Sequence, residues 1–145
     1  MKGRKGRAGL KGQLVEKSVD AYVLALETIN RLSIKYRVES FTHLICNAWE
    51  LLLKARVLDV QTSRDAIYYR TKPGDAKRTI SLRDALIKVI PNDKEPLRRN
   101  LEVVADLRDE AMHLVISEVP NDVLLLFQAC VINYHKRRFK RNLVL

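Results

Sequence analysis

The chain has 145 residues; 47% of them are hydrophobic, 30% are charged, five are Gly and four are Pro. This composition excludes a disordered chain and favours a single helical domain that is long enough to bury a core. No stretch reaches the roughly 18 apolar residues of a membrane-spanning helix, and no apolar signal segment follows the basic start. Cys46 and Cys130 lie inside apolar helical patterns, so we expect reduced core thiols in a cytoplasmic protein without a membrane partner.

The net charge of +10 is concentrated at the two ends, because the residues between them carry as many acidic as basic side chains. We divide the chain into a basic arm, residues 1–12, and a helical domain, residues 13–145, whose end is again basic. The candidate nucleic-acid contacts are Lys2, Arg4, Lys5, Arg7, Lys136, Arg137, Arg138, Lys140 and Arg141. Such runs are either solvated tails or arms that bind a polyanion by releasing counterions from its phosphates.

Apolar residues at helical spacing predict two long helices in the first part of the chain. The first covers about 20 residues and ends before Ser33, and the second runs from about Val38 to Leu58. Opposite the apolar side of the second helix lies a polar stripe of His43, Asn47, Glu50 and Lys54. This stripe is either a solvent face with a Glu50–Lys54 ion pair or one wall of a cleft that includes Asn47 and Glu50.

The segment from 59 to 80 is the least regular, and its Pro-Gly-Asp turn signal at 73–75 indicates a short hairpin or an ordered loop. Ser81 followed by Asp84 resembles a capping box and predicts a short third helix, from Leu82 to Ile90.

Two more helices complete a predicted all-α bundle of about five. The fourth, capped by Asn92 or Asp93 with Pro96 in its first turn, carries an apolar face from Leu97 to Val115. The fifth runs roughly over residues 123–138 and is apolar almost all round, which indicates burial in the bundle centre or against a second subunit.

An arginine interrupts the apolar face of the fourth helix. Arg108 stands where another aliphatic residue would be expected, and a guanidinium in such a position requires a partner because it cannot shed its proton. Asp109 and His113 are one turn apart, so the carboxylate would orient the imidazole and raise its pKa. Arg108 and His113 do not share a face, because a five-residue step turns about 140°. The plainer alternative is an arginine paired with an acid such as Glu50 and a surface histidine.

No metal or cofactor is expected, because the three histidines are scattered and no carboxylates cluster at ligand spacing.

The string Arg108 to His113, R-D-E-A-M-H, resembles the R-x4-6-H motif of the HEPN superfamily. The strings NAWELLLKARVLD (47–59) and PND…LRDEAMHL are similar to a prokaryotic HEPN-like family of uncharacterised domains, with a likeness from about Gln13 to Tyr134. The resemblance implies a metal-independent endoribonuclease that dimerises so that both motifs line one cleft. Many HEPN proteins are toxins or act in abortive infection against phage, which also implies an antitoxin or other neutralising partner.

The same resemblance implies a role for each residue of the motif. Arg108 would hold the scissile RNA phosphate, His113 would be the general acid or base, and Asp109 would orient one of them. Val115 occupies the position of a tyrosine that is present in toxins silenced by nucleotidylation, so control by that route is not expected. Some HEPN domains only bind RNA or a protein partner, which leaves a non-catalytic module as the alternative.

Overall fold

The structure, a computed structural model, describes residues 3–61, 63–111 and 121–139, with side chains from residue 9 onward. Five α-helices lie in these ranges: α1 (Gly3–Asn30), α2 (Arg37–Val60), α3 (Leu82–Val89), α4 (Pro96–Ala111) and α5 (Asn121–Phe139). The predicted all-α bundle is confirmed.

The centre of the bundle is α2, which contacts each of the other four helices and contributes twelve buried residues. The directions in which the neighbouring helices run relative to α2 determine which of their residues contact it. Because Phe127 packs on Phe41 and Trp49 donates to the Cys130 carbonyl, α5 runs parallel to α2. In contrast, α4 runs antiparallel to α2, so its later residues lie beside the start of α2.

The fifth helix lies at the edge of the bundle, so the alternative that places it in the centre is wrong. Only one face of α5 is buried, through Phe127, Cys130 and Tyr134. Other apolar side chains on this helix are exposed, with 65% for Leu125 and 53% for Ile132. The centre is instead occupied by α2, which contributes twelve buried residues, whereas α5 contributes three. The alternative of a subunit contact for α5 stays a prediction.

The first helix begins at Gly3, so residues 3–12 of the predicted basic arm belong to α1. Its glycines disfavour a helix, but tertiary contacts compensate. Leu10 and Leu14 pack against a small apolar cluster at the end of α2, and Lys11 forms an ion pair with Asp59.

The irregular segment forms an ordered loop with one antiparallel bridge, between Tyr68 and Thr79. A 3-10 turn, Arg64–Ile67, precedes the bridge, and Gly74 adopts a φ of 95° at the predicted turn. The predicted start of α3 is confirmed, because the Ser81 side chain accepts a hydrogen bond from the Asp84 amide at 3.1 Å. The second bond of a capping box is not observed, since the Ser81 amide donates to the Tyr69 hydroxyl and not to Asp84.

The predicted cap of the fourth helix is wrong. The Asn92 side chain accepts a hydrogen bond from the Lys94 amide, which stabilises the preceding turn, and α4 begins at Pro96. Proline suits the first helical position because its φ is already helical and its missing N–H is not needed there. The end of the predicted helix, including Val115, lies outside the described residues.

Candidate functional site

A pocket forms where the polar stripe of α2 meets the end of α4. Its volume is about 360 Å³, and it is open to solvent. The residues that line it are His43, Leu44, Asn47, Glu50 and Arg108. The three polar residues from α2 share a face because they are spaced by four and three positions. The antiparallel course of α4 then brings the guanidinium of Arg108 opposite them.

Arg108 lies at the edge of the core, where its side chain is 22% exposed. The residue one turn before it, Val104, is fully buried, so the guanidinium extends from an apolar base to the mouth of the pocket. Its Nε and Nη2 atoms both donate to one carboxylate oxygen of Asp109, each at 3.3 Å. Within the described residues this is its only ion pair, so the alternative pairing of Arg108 with Glu50 is not observed.

Asp109 is held more tightly by a second arginine. Its other carboxylate oxygen accepts a hydrogen bond from Arg83 Nη2 at 2.8 Å, and the same nitrogen donates to Asp106 at 2.7 Å. Charge-assisted hydrogen bonds of this kind are typically about 2.7–2.9 Å long. The bonds from Arg83 fall in that range, whereas those from Arg108 are longer and therefore weaker.

These arginines also set the ionisation of Asp109. Burial acts to raise the pKa of this carboxyl group, but the hydrogen bond from Arg83 and the positive charges of Arg108 and Arg83 together lower it below its usual value. Asp109 is therefore an anion at neutral pH. Its negative charge lies between two guanidinium groups, which fixes the orientation of both.

Glu50 has a partner on its own helix, Lys54, whose Nζ donates to it at 3.0 Å. Lys54 is only 4% exposed and also donates to the Thr79 hydroxyl at 3.0 Å. The predicted Glu50–Lys54 ion pair is therefore present, but it does not belong to a solvent face, because Lys54 is buried. Glu50 also lines the pocket, as the alternative interpretation expects. The pair partly neutralises the carboxylate, which makes the pocket less repulsive to an anion.

The thiol of Cys46 lies behind the pocket and is chemically inert. The side chain is buried and free of any disulfide. Burial raises the pKa of Cys46 to about 12, against a smaller opposing effect of Arg108. Cys130 is likewise a free, buried thiol, so the expectation of reduced core thiols agrees with the structure.

The sequence-predicted site residues are only partly brought together. Arg108, Asp109, Asn47 and Glu50 lie at or beside one pocket. His113 lies outside the described residues, as do Lys2, Lys140, Arg141 and the side chains of Arg4, Lys5 and Arg7. Lys136, Arg137 and Arg138 form the last turn of α5. The predicted contact between Asp109 and His113 therefore stays a prediction.

Sequence reasoning missed two residues of the site. Arg83, at the start of α3, binds Asp106 and Asp109. The only local signal for it was the capping box, which places Arg83 in the first turn of a helix but does not aim it at α4. His43 was assigned to the polar stripe but not to the candidate site.

Within the described ranges, none of the helices combines the length and apolar character that crossing a membrane would require. In the same part of the chain, no three His, Cys, Asp or Glu residues are grouped so that they could hold a metal ion.

Fold and site together define an all-helical domain with a solvent-open pocket between two antiparallel helices, lined by polar side chains that include Arg108 and Glu50. Comparison with family models assigns it further: the chain belongs to the family described as "Domain of unknown function (DUF3644)", whose model matches residues 13–141. The comparisons with curated proteins and with solved structures find no match.

Proposed function

We propose that this protein is a metal-independent endoribonuclease of the HEPN type that acts on RNA in the pocket between α2 and α4. The observation that supports the proposal is the position and weak pairing of the Arg108 guanidinium. Its guanidinium reaches an open pocket, and its hydrogen bonds to Asp109 are long at 3.3 Å. An arginine that is oriented but weakly paired is suited to bind an incoming phosphate.

Arg108 could exchange Asp109 for a phosphate at a small cost in free energy. If Arg108 turns to a phosphate, the carboxylate keeps its shorter bond to Arg83 at 2.8 Å and is not left without a partner. The α2 wall would contribute as well. The Asn47 side chain can donate to a phosphate or ribose oxygen, and Lys54 offsets the charge of Glu50 at 3.0 Å.

The proposed reaction is attack of a ribose 2′-hydroxyl on the adjacent phosphate. A bond forms between the 2′-oxygen and phosphorus, the bond to the 5′-oxygen breaks, and a proton passes from the 2′-hydroxyl to the leaving oxygen. Arg108 would stabilise the negative charge on the phosphorus oxygens. His113 would act as the general acid or base, and the products would carry a 2′,3′-cyclic phosphate and a 5′-hydroxyl.

His43 is a second candidate for proton transfer, because it lines the same pocket as Arg108. An imidazole can accept or donate a proton near neutral pH, and a cleavage of this type requires both a base and an acid. His43 and His113 would therefore divide the two tasks.

The biological setting belongs to the same proposal. We propose a homodimer in which two motifs line one cleft, which would also relieve the angular mismatch between Arg108 and His113 on a single helix. A role as a toxin or anti-phage effector in the cytoplasm, with a neutralising partner, follows from the resemblance. A non-catalytic RNA-binding or partner-docking module is the alternative outcome of the test below.

The test is cleavage of single-stranded and structured RNA by purified protein in the presence of EDTA. We expect cyclic-phosphate products, and we expect Arg108→Ala to lower the rate by about a hundredfold to a thousandfold, the usual effect of removing one donor to a developing oxyanion. His113→Ala should abolish cleavage. The matched control is Arg99→Ala, which removes an exposed arginine from the same helix and should leave the rate unchanged.

Cleavage that persists in both Arg108→Ala and His113→Ala would contradict the proposal and indicate a contaminant or another site. Binding of RNA without cleavage by the wild-type protein would favour the non-catalytic module.

A further inference from the structure

The start of α1 and the end of α5, which are far apart in sequence, lie at the same end of the bundle. Because α1 is antiparallel to α2 and α5 is parallel to it, the start of α1 and the end of α5 both lie beside the end of α2. Lys11 of α1 forms an ion pair with Asp59, near the end of α2. Tyr134 of α5 packs on Trp49 in the middle of α2, and from there α5 continues for five more residues in the direction of the same end.

An arginine of α2 adds to the charge at this end. Arg56 is 63% exposed, and its one ion pair with a described residue is a long one, to Asp59 at 3.8 Å. Its positive charge also acts on Arg137. Burial lowers the pKa of the Arg137 guanidinium, the positive charge of Arg56 lowers it further, and Glu95 opposes the shift. We use the term basic pole for Lys11, Arg56, Lys136, Arg137 and Arg138.

The basic pole has one ion-pair partner among the described residues, Asp59, which Lys11 and Arg56 share. Within the described residues, Lys136, Arg137 and Arg138 make no ion pair. The Nε atoms of Arg137 and Arg138 are buried, and no described group accepts a hydrogen bond from them. Cations in the last turn of a helix are favoured by the helix dipole, but that explanation does not extend to Arg56, which lies before the last turn of α2. A cluster of like charges is costly unless an anion offsets it.

Two aromatic side chains accompany these charges. His135 and Phe139 lie one turn apart on α5 with ring centroids 5.0 Å apart, and Phe139 is 48% exposed. The guanidinium of Arg138 lies 5.1 Å from the Phe139 ring centroid. Cations that track a backbone, combined with exposed rings on which bases stack, are the usual composition of a surface that binds single-stranded nucleic acid.

We infer that the basic pole and Phe139 form a second RNA-binding site, which holds single-stranded RNA by its phosphates and by stacking of one base. This inference deepens the proposed function, since it names where the substrate is held away from the pocket. Arg56 follows Asn47 by nine residues, so the two are separated by about 14 Å along α2 and by half a turn around it. The site is therefore distinct from the pocket, and it would set affinity and not the chemical step.

The experiment compares two variants with the same change in charge. Arg56→Glu/Lys136→Glu alters the basic pole, and Arg31→Glu/Lys35→Glu alters the opposite end of the bundle, at the α1–α2 connection. All four side chains are exposed, and each double variant lowers the formal net charge from +10 to +6. Binding of a short fluorescent single-stranded RNA is measured by anisotropy over a range of salt concentrations, in an Arg108→Ala background in which we expect cleavage to be at least about a hundredfold slower.

We expect the pole variant to bind about tenfold or more weakly at low salt. The slope of log K against log salt should fall by about 1.4, because each phosphate contact on a single strand contributes about 0.7. The variant at the opposite end should lose less than about threefold. Equal losses in the two variants would overturn the inference, since they would indicate general charge attraction only.

Phe139→Ala tests the stacking contact. We expect about fivefold or more weaker binding of single-stranded RNA and unchanged binding of a duplex, whose bases are already stacked. Equal effects on both RNAs would overturn the assignment of a base to this ring.

The two proposals fail in different ways. With Arg108 restored, we expect the pole variant to raise KM and leave kcat unchanged. If the pole variant keeps full RNA affinity while the wild-type protein cleaves RNA, only the basic pole fails. If it loses affinity but the wild-type protein does not cleave RNA, the basic pole stands and the nuclease proposal fails.

Discussion

At the scale of single residues, the pocket depends on how one carboxylate is shared between two arginines. Asp109 accepts bonds of 2.8 Å from Arg83 and 3.3 Å from Arg108. The shorter hydrogen bond, from Arg83, orients the carboxylate. The longer hydrogen bonds from Arg108 orient its guanidinium but leave it able to bind another anion. Since both arginines lower the pKa of Asp109 against the opposing effect of burial, this arrangement depends on pH.

We expect Asp109→Asn to reduce the dependence of stability on pH in the acid range. The folded-state pKa of Asp109 is below its unfolded value, so its ion pairs stabilise the fold above about pH 4 and are lost as the pH falls through the lowered pKa. The side chain is 48% exposed, so screening limits the contribution to about 1 kcal/mol or less.

The measurement is urea unfolding at several pH values between neutrality and the acid limit of folding. Asp75→Asn is the control, because Asp75 is an exposed aspartate that makes no ion pair with any described residue. The prediction fails if both variants follow the wild-type pH dependence equally.

At the scale of elements, the short helix α3 positions Arg83, and its start is tied down by side-chain hydrogen bonds. Ser81 caps the helix at 3.1 Å, and the Tyr69 hydroxyl accepts a hydrogen bond from the Ser81 amide at 3.0 Å and also donates to Asp84. A helix of eight residues is too short to be stable alone. The cap and the irregular segment before it therefore determine where Arg83 lies.

We expect Ser81→Ala to lower the free energy of unfolding by about 1 kcal/mol, the usual effect of losing an N-cap. It should also lower RNA cleavage, because α3 would hold Arg83 and thus Asp109 less firmly. Ser81→Asp should restore both quantities, since an aspartate also caps a helix. Ser33→Ala, at an exposed position between α1 and α2, is the control for stability and should have little effect. A loss of stability in Ser81→Asp equal to that in Ser81→Ala would count against the capping role.

At the scale of the whole molecule, a buried hydrogen-bonded chain joins three helices. The Ser18 hydroxyl of α1 donates to the Ala48 carbonyl of α2 at 2.6 Å. The Tyr134 hydroxyl of α5 lies 2.6 Å from the Ser18 hydroxyl oxygen. A serine hydroxyl has one hydrogen, so Tyr134 must be the donor in the second bond. The ring of Tyr134 stacks on Tyr22 with centroids 4.2 Å apart, which places the bonds inside the core.

Because Tyr134 is the donor, we expect substitutions of Ser18 and Tyr134 to lower the free energy of unfolding by different amounts. Ser18→Ala leaves the buried Tyr134 hydroxyl without its acceptor and should cost about 1–3 kcal/mol, whereas Tyr134→Phe removes only one bond and should cost about 0.5–1.5 kcal/mol. The double variant should be no less stable than Ser18→Ala, because it removes the unpaired hydroxyl as well. Urea unfolding of the three variants gives the comparison, and additive losses would show that the two side chains act independently.

The sequence by itself determined the helices and one wall of the pocket. The 3.6-residue period of apolar positions predicted α1, α2 and α4, the cap at Ser81 predicted α3, and a long apolar run predicted α5. The spacing of His43, Asn47 and Glu50 placed them on one face of α2. The turn at 73–75 and the cap at Ser81 were also predictable, because each depends on residues that are close together in the chain.

Only the tertiary structure decided which faces meet. Arg83 reaches Asp109 across 26 positions of sequence, and no local pattern encodes the crossing of α3 and α4 that brings them together. The apolar residues of α5 predicted either a central helix or a subunit contact; α2 occupies the centre, and Leu125 and Ile132 are exposed. The position of the start of α1 and the end of α5 at the same end of the bundle likewise follows from the directions in which the helices run. Helical periodicity is a local property of the chain, whereas the direction and order of packed helices depend on contacts that form only in the folded molecule.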